Sequence, residues 1–272
     1  MRKHLTLLAV MDIFSLEFSS FLEDSNICYH MENESLFYLN KGMLCIKLVP
    51  LEDYSIIHYT PDFTGRYIIL HQDRWVDRRD IVKSIIMGLS GKNRVIYARN
   101  TILEKINRDV AAQFHSTHHL IGYTKAKFNY GLRDVSDNSL LAVSSFSSSR
   151  KMLRSGRYVN SYEWVRYTSA LGFRVVGGMS KMLSLFLKEQ NVEEVMTYCD
   201  ADWSNGKSYE SMGFSLESKT GEIEYFIDKL TYQRTSLKKI RRDEKFNSPD
   251  LFKHNGYLLR TQGNLKFIAS FE

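Results

Sequence analysis

The sequence contains few prolines and few cysteines, and each shortage excludes a class of protein. With 3 prolines and 15 glycines in 272 residues, the chain is neither collagen-like nor rich in long disordered linkers. The three cysteines, Cys28, Cys45 and Cys199, show no Cys-x-x-Cys spacing, which excludes a disulfide framework and a common zinc motif. Reduced thiols of this kind are typical of a cytoplasmic protein, and we expect that location.

Long apolar runs are also missing. No stretch reaches the roughly 18 consecutive apolar residues of a membrane-spanning helix, so no membrane partner is expected. Residues 5–11 are apolar, but acidic residues follow from Asp12 and no small-residue cleavage site is evident. This combination argues against a signal peptide.

The charge balance is slightly basic. Lysine and arginine exceed aspartate and glutamate by 37 − 31 = 6, and the sequence pI is about 9.0. Residues 150–157 and 238–242 concentrate this charge in two stretches that could follow a nucleic-acid backbone. The alternative is a solvated basic face that only aids solubility.

Hydrophobic periodicity divides the chain into a short first part and a longer second part. A helix over 76–89, closed by Gly91, ends the first part, and a strand over 94–98 begins the second. We therefore expect a small α/β domain at 1–92 and a larger domain at 93–272. The remaining predicted elements are strands at 36–39, 43–49, 54–59, 67–70, 162–167, 194–198, 222–226, 257–261 and 265–269, a hairpin of 128–132 with 139–146, and helices at 101–114, 181–188, 207–212 and within 231–253.

Residues 162–214 contain the most suggestive order of motifs. Gly177 and Gly178 precede a helix, where bare backbone N–H groups and the helix N-terminus favour a pyrophosphate. A plain strand-to-helix turn, with Ser180 as part of the cap, is the alternative. Asp200 and Asp202 follow a strand end and could act as a general base or orient an amine, or could simply form a turn.

Two further sets of polar residues have both a functional and a structural interpretation. Glu163 and Arg166 are three positions apart, which predicts opposite faces of a strand. Arg166 could bind a carboxylate or phosphate, or form a salt bridge within the fold. His115, His118 and His119 have helical metal-ligand spacing but no further ligand, so we expect no metal and favour structural or cleft-lining roles.

Short motifs occur in a fixed order after residue 94, at 114–122, 130–132, 141–146, 162–166, 176–181, 198–200, 206–209 and 213–214. Together they resemble the GNAT superfamily of acyl-CoA-dependent N-acyltransferases, most closely its Mom-like DNA-modification branch in phages. The resemblance implies an α+β fold with a mixed, mostly antiparallel sheet flanked by helices. It also implies acetyl-CoA or another acyl-CoA as cofactor.

The resemblance assigns roles to individual residues. The cofactor-binding set is Val176, Gly177, Gly178, Met179, Ser180 and Lys181, and Met179 stands where the family has glycine or alanine. Tyr209 takes the place of the tyrosine that protonates the departing CoA thiolate, although a half-buried core aromatic is the alternative. The resemblance places His118 or His119 in the cleft, and Arg166 would also face it. Asp200 or a cleft histidine such as His118 would serve as base or orienting group.

Residues 66–92 resemble a different family. The run from Arg66 to Trp75, followed by 81–84 and 89–91, is similar to the end of a very-short-patch-repair-like nuclease domain. Residues 1–92 contain no Glu-x-Lys on a strand, so we expect a degenerate remnant that does not cleave, because metal-assisted cleavage needs those carboxylates.

These observations favour a GNAT-like N-acyltransferase that acts on an amine. The acceptor is either a nucleobase of DNA contacted through 150–157 and 238–242, or a protein or small-molecule amine. A duplex hides such an amine, so the enzyme would flip the base or use single strands. The alternative function is a non-catalytic nucleic-acid-binding protein in which both activities have decayed.

Overall fold

A computed structural model describes residues 12–51, 63–242 and 256–271. The strand predicted at 54–59 lies outside these residues, as do positions 243–253 of the helical segment predicted within 231–253. Within the described residues, no helix is both long enough and apolar enough to cross a membrane.

The elements follow one another along the chain as short strands with interspersed helices. The strands are β1 Tyr29–Asn33, β2 Leu36–Leu39, β3 Leu44–Val49, β4 Arg66–His71, β5 Arg94–Tyr97, β6 Thr101–Lys105, β7 Phe128–Asp134, β8 Leu140–Phe146, β9 Arg150–Arg154, β10 Arg157–Ser169, β11 Phe173–Val176, β12 Glu194–Asp200, β13 Ser215–Lys219, β14 Ile223–Asp228, β15 Arg234–Ser236, β16 Gly256–Thr261 and β17 Asn264–Ser270. The helices are α1 Ile13–Asp24, α2 Gln72–Asp77, α3 Arg79–Leu89, α4 Arg108–His118, α5 Gly178–Glu189, α6 Lys207–Glu210 and α7 Leu237–Ile240.

The chain forms two compact units that are not contiguous in sequence. The first comprises the described residues within Met1–Lys83, Asp200–Asn205 and Gly221–Gly263, and the second those within Ser84–Cys199, Gly206–Thr220 and Asn264–Glu272. The predicted boundary at residue 92 would assign segments 200–205 and 221–263 to the second domain, whereas the structure groups both with the first unit. The two-domain division at 92 therefore stays a prediction beside this observed grouping.

The first unit contains a four-stranded sheet in the order β1-β2-β3-β4. Strands β1 to β3 pair antiparallel, whereas β3 and β4 are parallel. The aromatic side of α1 packs on Trp75 of α2, with ring centroids 5.5 Å apart for Phe18 and 5.7 Å for Phe21. Such a cluster buries large apolar area at low side-chain entropy cost, which anchors α1 without any sheet pairing.

A small sheet, ordered β15-β14-β16, completes the first unit. Ile227 of β14 and Leu259 of β16 are buried together with Leu51. The prediction of a helix across this region is wrong for 234–236, which pairs antiparallel with β14, and correct for the short helix α7. Basic residues in the stretch favoured helix, but cross-strand pairing determines β15.

The second unit contains a mixed sheet in the order β13-β17-β12-β10-β8-β7-β6, and β9 also pairs with β10. Strands β6 to β10 pair antiparallel, and β10 pairs with β12 in parallel. Helix α5 covers one face, where Phe186 stacks on Phe146 with centroids 4.0 Å apart. Helix α4 covers the other face through Ala111 and Phe114, which pack on Val143. The predicted α+β class with a mostly antiparallel sheet flanked by helices is confirmed.

The prediction of a capping box at Thr101 is wrong. Thr101–Lys105 is strand β6 and pairs with Tyr130–Asp134 of β7, so Ile102 is 49% exposed on an edge strand. The helix begins only at Arg108, where the Asn107 side chain caps it by accepting from the Val110 N–H at 2.9 Å. The four-residue apolar spacing extended the predicted helix about two turns too far toward the N-terminus.

The basic stretch 150–157, for which the sequence analysis gave no secondary structure, is regular in the structure. Strands β9 and β10 form a hairpin there, and Ser155 and Gly156 both have positive φ, 47° and 81°. Two successive left-handed residues are typical of a two-residue hairpin turn whose twist matches the strands. The cations of this segment therefore lie on an ordered hairpin.

Candidate active site

The candidate site begins where the parallel ladder between β10 and β12 ends. Within the described residues, the ladder joins Ser161–Trp164 to Glu194–Thr197, while the strands continue to Ser169 and Asp200. At the last pair, the Thr197 hydroxyl donates to the Trp164 carbonyl at 3.0 Å. Thr197 thus satisfies a backbone group at the point where strand pairing stops.

A β-bulge in β10 coincides with the end of this ladder. Its register against β8 shifts between Trp164, opposite Phe146, and Arg166, opposite Ser145. One extra residue reverses the side-chain alternation that follows it. Glu163 and Arg166 therefore share one face of the sheet, and the prediction of opposite faces is wrong because the sequence spacing contains no sign of the bulge.

Trp164 is the buried centre of the site. Its side chain is 2% exposed, and its indole N–H donates to Ser144 Oγ at 2.6 Å and to the Arg166 carbonyl at 3.1 Å. The second bond spans the bulge and so holds its shape. Because Ser144 is fully buried beside the indole, loss of the donor would leave its hydroxyl without this partner.

Tyr209 packs directly against this tryptophan. Its ring centroid lies 5.9 Å from that of Trp164, 5.8 Å from Phe214 and 5.7 Å from Phe267. Burial raises the pKa of Tyr209, while the Thr197 hydroxyl and the Arg166 charge act in the opposite direction. The phenol therefore keeps its proton at neutral pH, as a general acid must.

The start of α5 lies close to the same part of β10. Gly177 has φ 76°, a left-handed conformation that favours glycine. A Cβ added to Gly178 would meet the Tyr167 hydroxyl at 2.8 Å and Val175 Cγ1 at 3.0 Å. Since the Tyr167 ring centroid is 6.5 Å from that of Trp164, Trp164 contacts both the residue beneath the glycine turn and Tyr209.

The other members of the predicted cofactor-binding set face different surroundings. Val176 is 38% exposed and Ser180 is exposed, whereas Met179 is partly buried and packs against the hydrophobic core. The Lys181 ammonium donates to the carbonyl oxygens of Ala98 and Thr101, each at 2.7 Å. Lys181 therefore ties the segment before β6 to α5 with its charge.

Gly178→Ala is expected to destabilise the protein by about 1–3 kcal/mol, because the new methyl group overpacks the contact with Tyr167. In an unhindered helical site the same change would stabilise it. Urea unfolding of Gly178→Ala, Tyr167→Phe and the double variant measures the effect. Removing the hydroxyl should recover part of the loss, and independent, additive effects of the two changes would contradict this packing.

Asp200 and Asp202 belong to the first unit and form a turn. Asp200 Oδ1 accepts from the Asp202 N–H at 2.9 Å, and the Asp200 carbonyl accepts from the N–H groups of Trp203 and Ser204. Burial and the neighbouring Asp202 raise the pKa of Asp200 to about 6. The turn interpretation is thus correct, and the carboxyl also titrates near the range that suits a general base.

Sequence reasoning missed a buried charged cluster in the first unit. Asp202 accepts from His71 at 3.2 Å, with both side chains 1% exposed, and Asp73 forms a two-point ion pair with Arg234, one arm of which measures 2.9 Å. Burial lowers the pKa of Arg74 to about 10, with the Arg234 charge acting in the same direction. The sequence offered only the run from His71 to Arg74 as a signal, because its partners lie about 130–160 positions later.

The histidines near 115–119 have distinct structural contacts. His115 is fully buried, with Nδ1 2.7 Å from Thr168 Oγ1 and Nε2 2.8 Å from Ser145 Oγ. Ser145 donates its proton to Asn129 Oδ1, so His115 Nε2 donates to Ser145 and Nδ1 accepts from Thr168. His118 Nδ1 lies 3.5 Å from the Leu171 N–H, and burial lowers the pKa of this imidazole.

His115 is expected to make stability fall on acidification. Burial lowers its pKa to about 4, so between about pH 6.5 and about pH 4 the unfolded chain binds the extra proton. The contribution of His115 to the free energy of unfolding is fully present above this window. As pH falls through the window, the free energy of unfolding decreases by up to about 1.4 kcal/mol per pH unit. Urea unfolding across the window should give a shallower slope for His115→Gln than for the parent; equal slopes would contradict the assignment.

Both basic stretches combine ion-paired cations with exposed ones. Arg154 makes two bonds to Glu194, at 2.7 and 3.0 Å, while Arg150 and Lys151 on the same hairpin are exposed. In 238–242, Arg241 lies 3.4 Å from Glu224. Among residues 12–51, 63–242 and 256–271, no group of three His, Cys, Asp or Glu side chains could hold a metal ion.

The second unit brings together two predicted residues, Gly178 and Tyr209, and two that only the structure reveals. Gly178 lies over Tyr167, and both Tyr167 and Tyr209 contact Trp164. Arg166 is close enough to Tyr209 to lower its pKa. Trp164, Tyr167 and Thr197 were not singled out from the sequence. Thr197 is a polar residue within the mostly apolar predicted strand 194–198. This was the signal in the sequence for the Trp164–Thr197 pair that ends the ladder.

No protein-family model and no curated protein matches the chain. Solved structures to which it is similar include spermidine N-acetyltransferase from Vibrio cholerae in complex with CoA and spermine, at 11% identity over 63% of this chain and 96% of that one, with a TM-score of 0.38. A second is the histone acetyltransferase HPA2 and related acetyltransferase from Corynebacterium glutamicum, at 9% identity over 64% of this chain and 97% of that one, with a TM-score of 0.38. A third is the ribosomal-protein-S18-alanine N-acetyltransferase from Escherichia coli, at 11% identity over 62% of this chain and 93% of that one, with a TM-score of 0.36. These likenesses are too distant to assign a function to this chain.

Proposed function

We propose that the second unit is a GNAT-like N-acyltransferase that moves an acyl group from acyl-CoA to an amine. The observation that carries the proposal is the convergence on Trp164, which contacts Tyr167 beneath the glycine turn and also contacts the buried phenol of Tyr209. A phosphate-binding turn and a proton donor thus meet at the end of one strand ladder. Acyl-CoA would supply an activated thioester there.

The residues at the start of α5 fit a pyrophosphate. Backbone N–H groups in the first turn of a helix have no intrahelical acceptor, and the helix dipole favours negative charge beside them. Gly177 and Ser180 are exposed, so this turn is accessible to a ligand. Met179 departs from the family pattern, and its partly buried side chain packs on the hydrophobic core. Val176, Gly177, Gly178 and Ser180 would hold the pyrophosphate, with Lys181 as a brace.

Tyr209 would supply the proton for the leaving thiolate. Burial keeps the phenol protonated, and the Arg166 charge stabilises the phenolate that remains on Tyr209 once its proton has passed to the CoA thiolate. Arg166 itself is held by the Gly122 carbonyl at 3.3 Å and by Thr124 Oγ1 at 2.9 Å. Arg166 would therefore act through its charge, and its guanidinium would not move to bind the ligand.

Deprotonation of the acceptor amine requires a base, for which we retain Asp200 and His118. The pKa of Asp200, raised by burial to about 6, supports it. For His118, burial lowers the pKa and so keeps the imidazole neutral, which a base requires. Asp200→Asn and His118→Gln, compared in the pH dependence of kcat/KM, distinguish the two, because only loss of the true base removes the acidic limb.

The proposed acceptor is a nucleobase amine in DNA. Support comes from the Mom-like motifs and from the exposed Arg150 and Lys151 on the β9–β10 hairpin. Binding to single-stranded DNA should weaken steeply as salt rises, because released counterions drive it. Mass spectrometry of nucleosides from cells expressing the protein would reveal an acylated base. Unmodified DNA, together with salt-independent binding, would remove DNA as the acceptor.

The acyltransferase proposal is tested by incubating the full chain with isotopically labelled acetyl-CoA and a mixture of amine acceptors. The acceptors should include oligonucleotides, peptides and polyamines, with mass spectrometry to detect the label and a thiol assay to detect released CoA. Acetylation of one class with matching CoA release is the expected result. Absence of transfer to every class, by protein that binds nucleic acid, would favour the non-catalytic alternative.

A further inference from the structure

Strands β5 and β11 form a two-stranded parallel ribbon outside the main sheet of the second unit. Register pairs place Arg174 beside Val95 and Val176 beside Tyr97 on one face of this ribbon. That face is open: Val95 is 46% exposed, Tyr97 48% and Val176 38%, and Arg174 is exposed as well. An aromatic ring, two valines and a cation thus lie together on an uncovered surface.

Arg99 adds a second cation to the same end of the ribbon. It follows Tyr97 by two residues, and its guanidinium lies over the Tyr97 ring at 4.9 Å from the centroid. In the described part of the chain, neither Arg99 nor Arg174 forms an ion pair. Their charges are therefore available to an anionic ligand.

The ribbon leads directly into the glycine turn. Val176, the last residue of β11, precedes Gly177, and a Cβ on Gly177 would lie 3.8 Å from Ala98 Cβ. Lys181 of α5 also donates to the Ala98 carbonyl at 2.7 Å. Ala98 is the residue between Tyr97 and Arg99, so the aromatic ring and the cation are fixed beside the first turn of α5.

We infer that this face, formed by Tyr97, Arg99, Arg174 and Val176, binds the adenosine 3′-phosphate end of acyl-CoA. The inference rests on the proposed function, since it extends the ligand beyond the pyrophosphate at Gly177–Gly178. Adenine is a flat π-system that stacks on an aromatic–guanidinium pair. The 3′-phosphate is a dianion suited to a guanidinium with free donors. The positive charges of Arg99 and Arg174 and the direct connection of the ribbon to the glycine turn both favour this ligand.

Calorimetric titrations with acetyl-CoA and with acetyl-dephospho-CoA, which lacks only the 3′-phosphate, test the inference. The parent protein should prefer acetyl-CoA by roughly tenfold, since a hydrogen bond to a charged group contributes about that factor. Arg99→Gln should bind both ligands with nearly equal affinity. Arg94→Gln is the matched control: Arg94 is on the same strand but lies over the Phe173 ring on the other face, so its removal should leave the preference intact.

A third ligand, acetyl-pantetheine, separates adenine stacking from phosphate binding. Tyr97→Ala should weaken both CoA ligands several-fold, on the scale of one base–aromatic stack, and leave acetyl-pantetheine unaffected. Equal binding of the two CoA ligands by the parent, or a preference that survives Arg99→Gln, would overturn the inference and leave the acyltransferase proposal standing. Failure of the parent to bind either CoA ligand would overturn both.

Discussion

Tyr209→Phe is expected to lower kcat for acyl transfer by about 100-fold or more, the usual contribution of a positioned general acid. Phenylalanine retains the ring that packs on Trp164, Phe214 and Phe267, so only the proton donor is lost. The free energy of unfolding should change by no more than about 1 kcal/mol, because the change removes one hydroxyl. Steady-state kinetics on the acceptor found in the transfer assay, with urea unfolding of the same variant, measures both quantities.

The matched control for this substitution is Tyr198→Phe. Tyr198 is the neighbour of Thr197 on β12 and is 40% exposed, so it loses the same atom close to the same ladder end. Its kcat should stay within about twofold of the parent value. A Tyr209→Phe enzyme with parental turnover would show that Tyr209 is a core aromatic and not the acid. A loss of the same size in the Tyr198 variant would show that the assay reports local packing.

The pH dependence gives an independent readout of the same group. Burial raises the pKa of Tyr209, so the parent enzyme should remain active well into the alkaline range, until this phenol ionises. The residual activity of Tyr209→Phe should lack that alkaline limb, because the group that titrates is gone. An alkaline limb that is unchanged in the variant would assign it to another residue.

Asp73→Asn is expected to lower the free energy of unfolding by about 3–5 kcal/mol, the usual cost of breaking a buried ion pair by removing one partner. Asp73 is fully buried and its partner Arg234 is 5% exposed. The guanidinium would therefore lose its paired carboxylate and keep only the coulombic attraction of Asp200 and Asp202. Burial alone would raise the pKa of Asp73, but the Arg234 guanidinium outweighs it and lowers that pKa. Arg74, close to the same carboxylate, would also lose a favourable partner.

The control is Glu224→Gln, in the same unit. Glu224 bridges Arg241 and Arg260, whose side chains are 71% and 66% exposed, so water screens these pairs. Removing them should cost less than about 1 kcal/mol. Urea unfolding followed by the fluorescence of Trp75 and Trp203, both buried in the first unit, provides the comparison. Equal losses in the two variants would mean that the Asp73–Arg234 pair stabilises no more than a surface contact.

The order of elements was predictable wherever side-chain periodicity was strong. The hairpin of β7 and β8, the helix after the glycine pair and the apolar strands β3 and β12 all occur where the residue pattern places them. Each of these has a continuous apolar face, and burial of that face determines the element type. The turn formed by Asp200 and Asp202 was equally readable, since aspartate commonly closes turns.

The errors arose where non-local pairing overrides local pattern. Residues 101–105 satisfy a helical capping pattern, yet they pair with β7 as a strand. The helix is capped six residues after Thr101, by Asn107. The bulge after Trp164 depends on how β8 pairs with β10, so Glu163 and Arg166 could not be assigned to a common face from their spacing. Partners separated by more than a hundred residues, such as Asp73 and Arg234, leave no trace in a local window.

The candidate site was only partly visible for the same reason. Gly177, Gly178 and Tyr209 were selected from motif order, but Trp164, Tyr167 and Thr197 are recognisable only from the contacts that link them. Met179 illustrates the reverse case. It departs from the family pattern in sequence, whereas the structure shows that its partly buried side chain packs against the hydrophobic core.

Titration of acetyl-CoA into the full chain by calorimetry tests the central proposal most directly, because it needs no knowledge of the acceptor. We expect saturable binding of one ligand per chain with a Kd below about 1 mM, because substrate KM values in enzymes rarely exceed this range. We also expect weaker binding for Gly177→Val, since a branched side chain is strained at φ 76° and distorts the first turn of α5. Absence of binding heat at millimolar acetyl-CoA, by protein with a cooperative unfolding transition, would contradict the proposal.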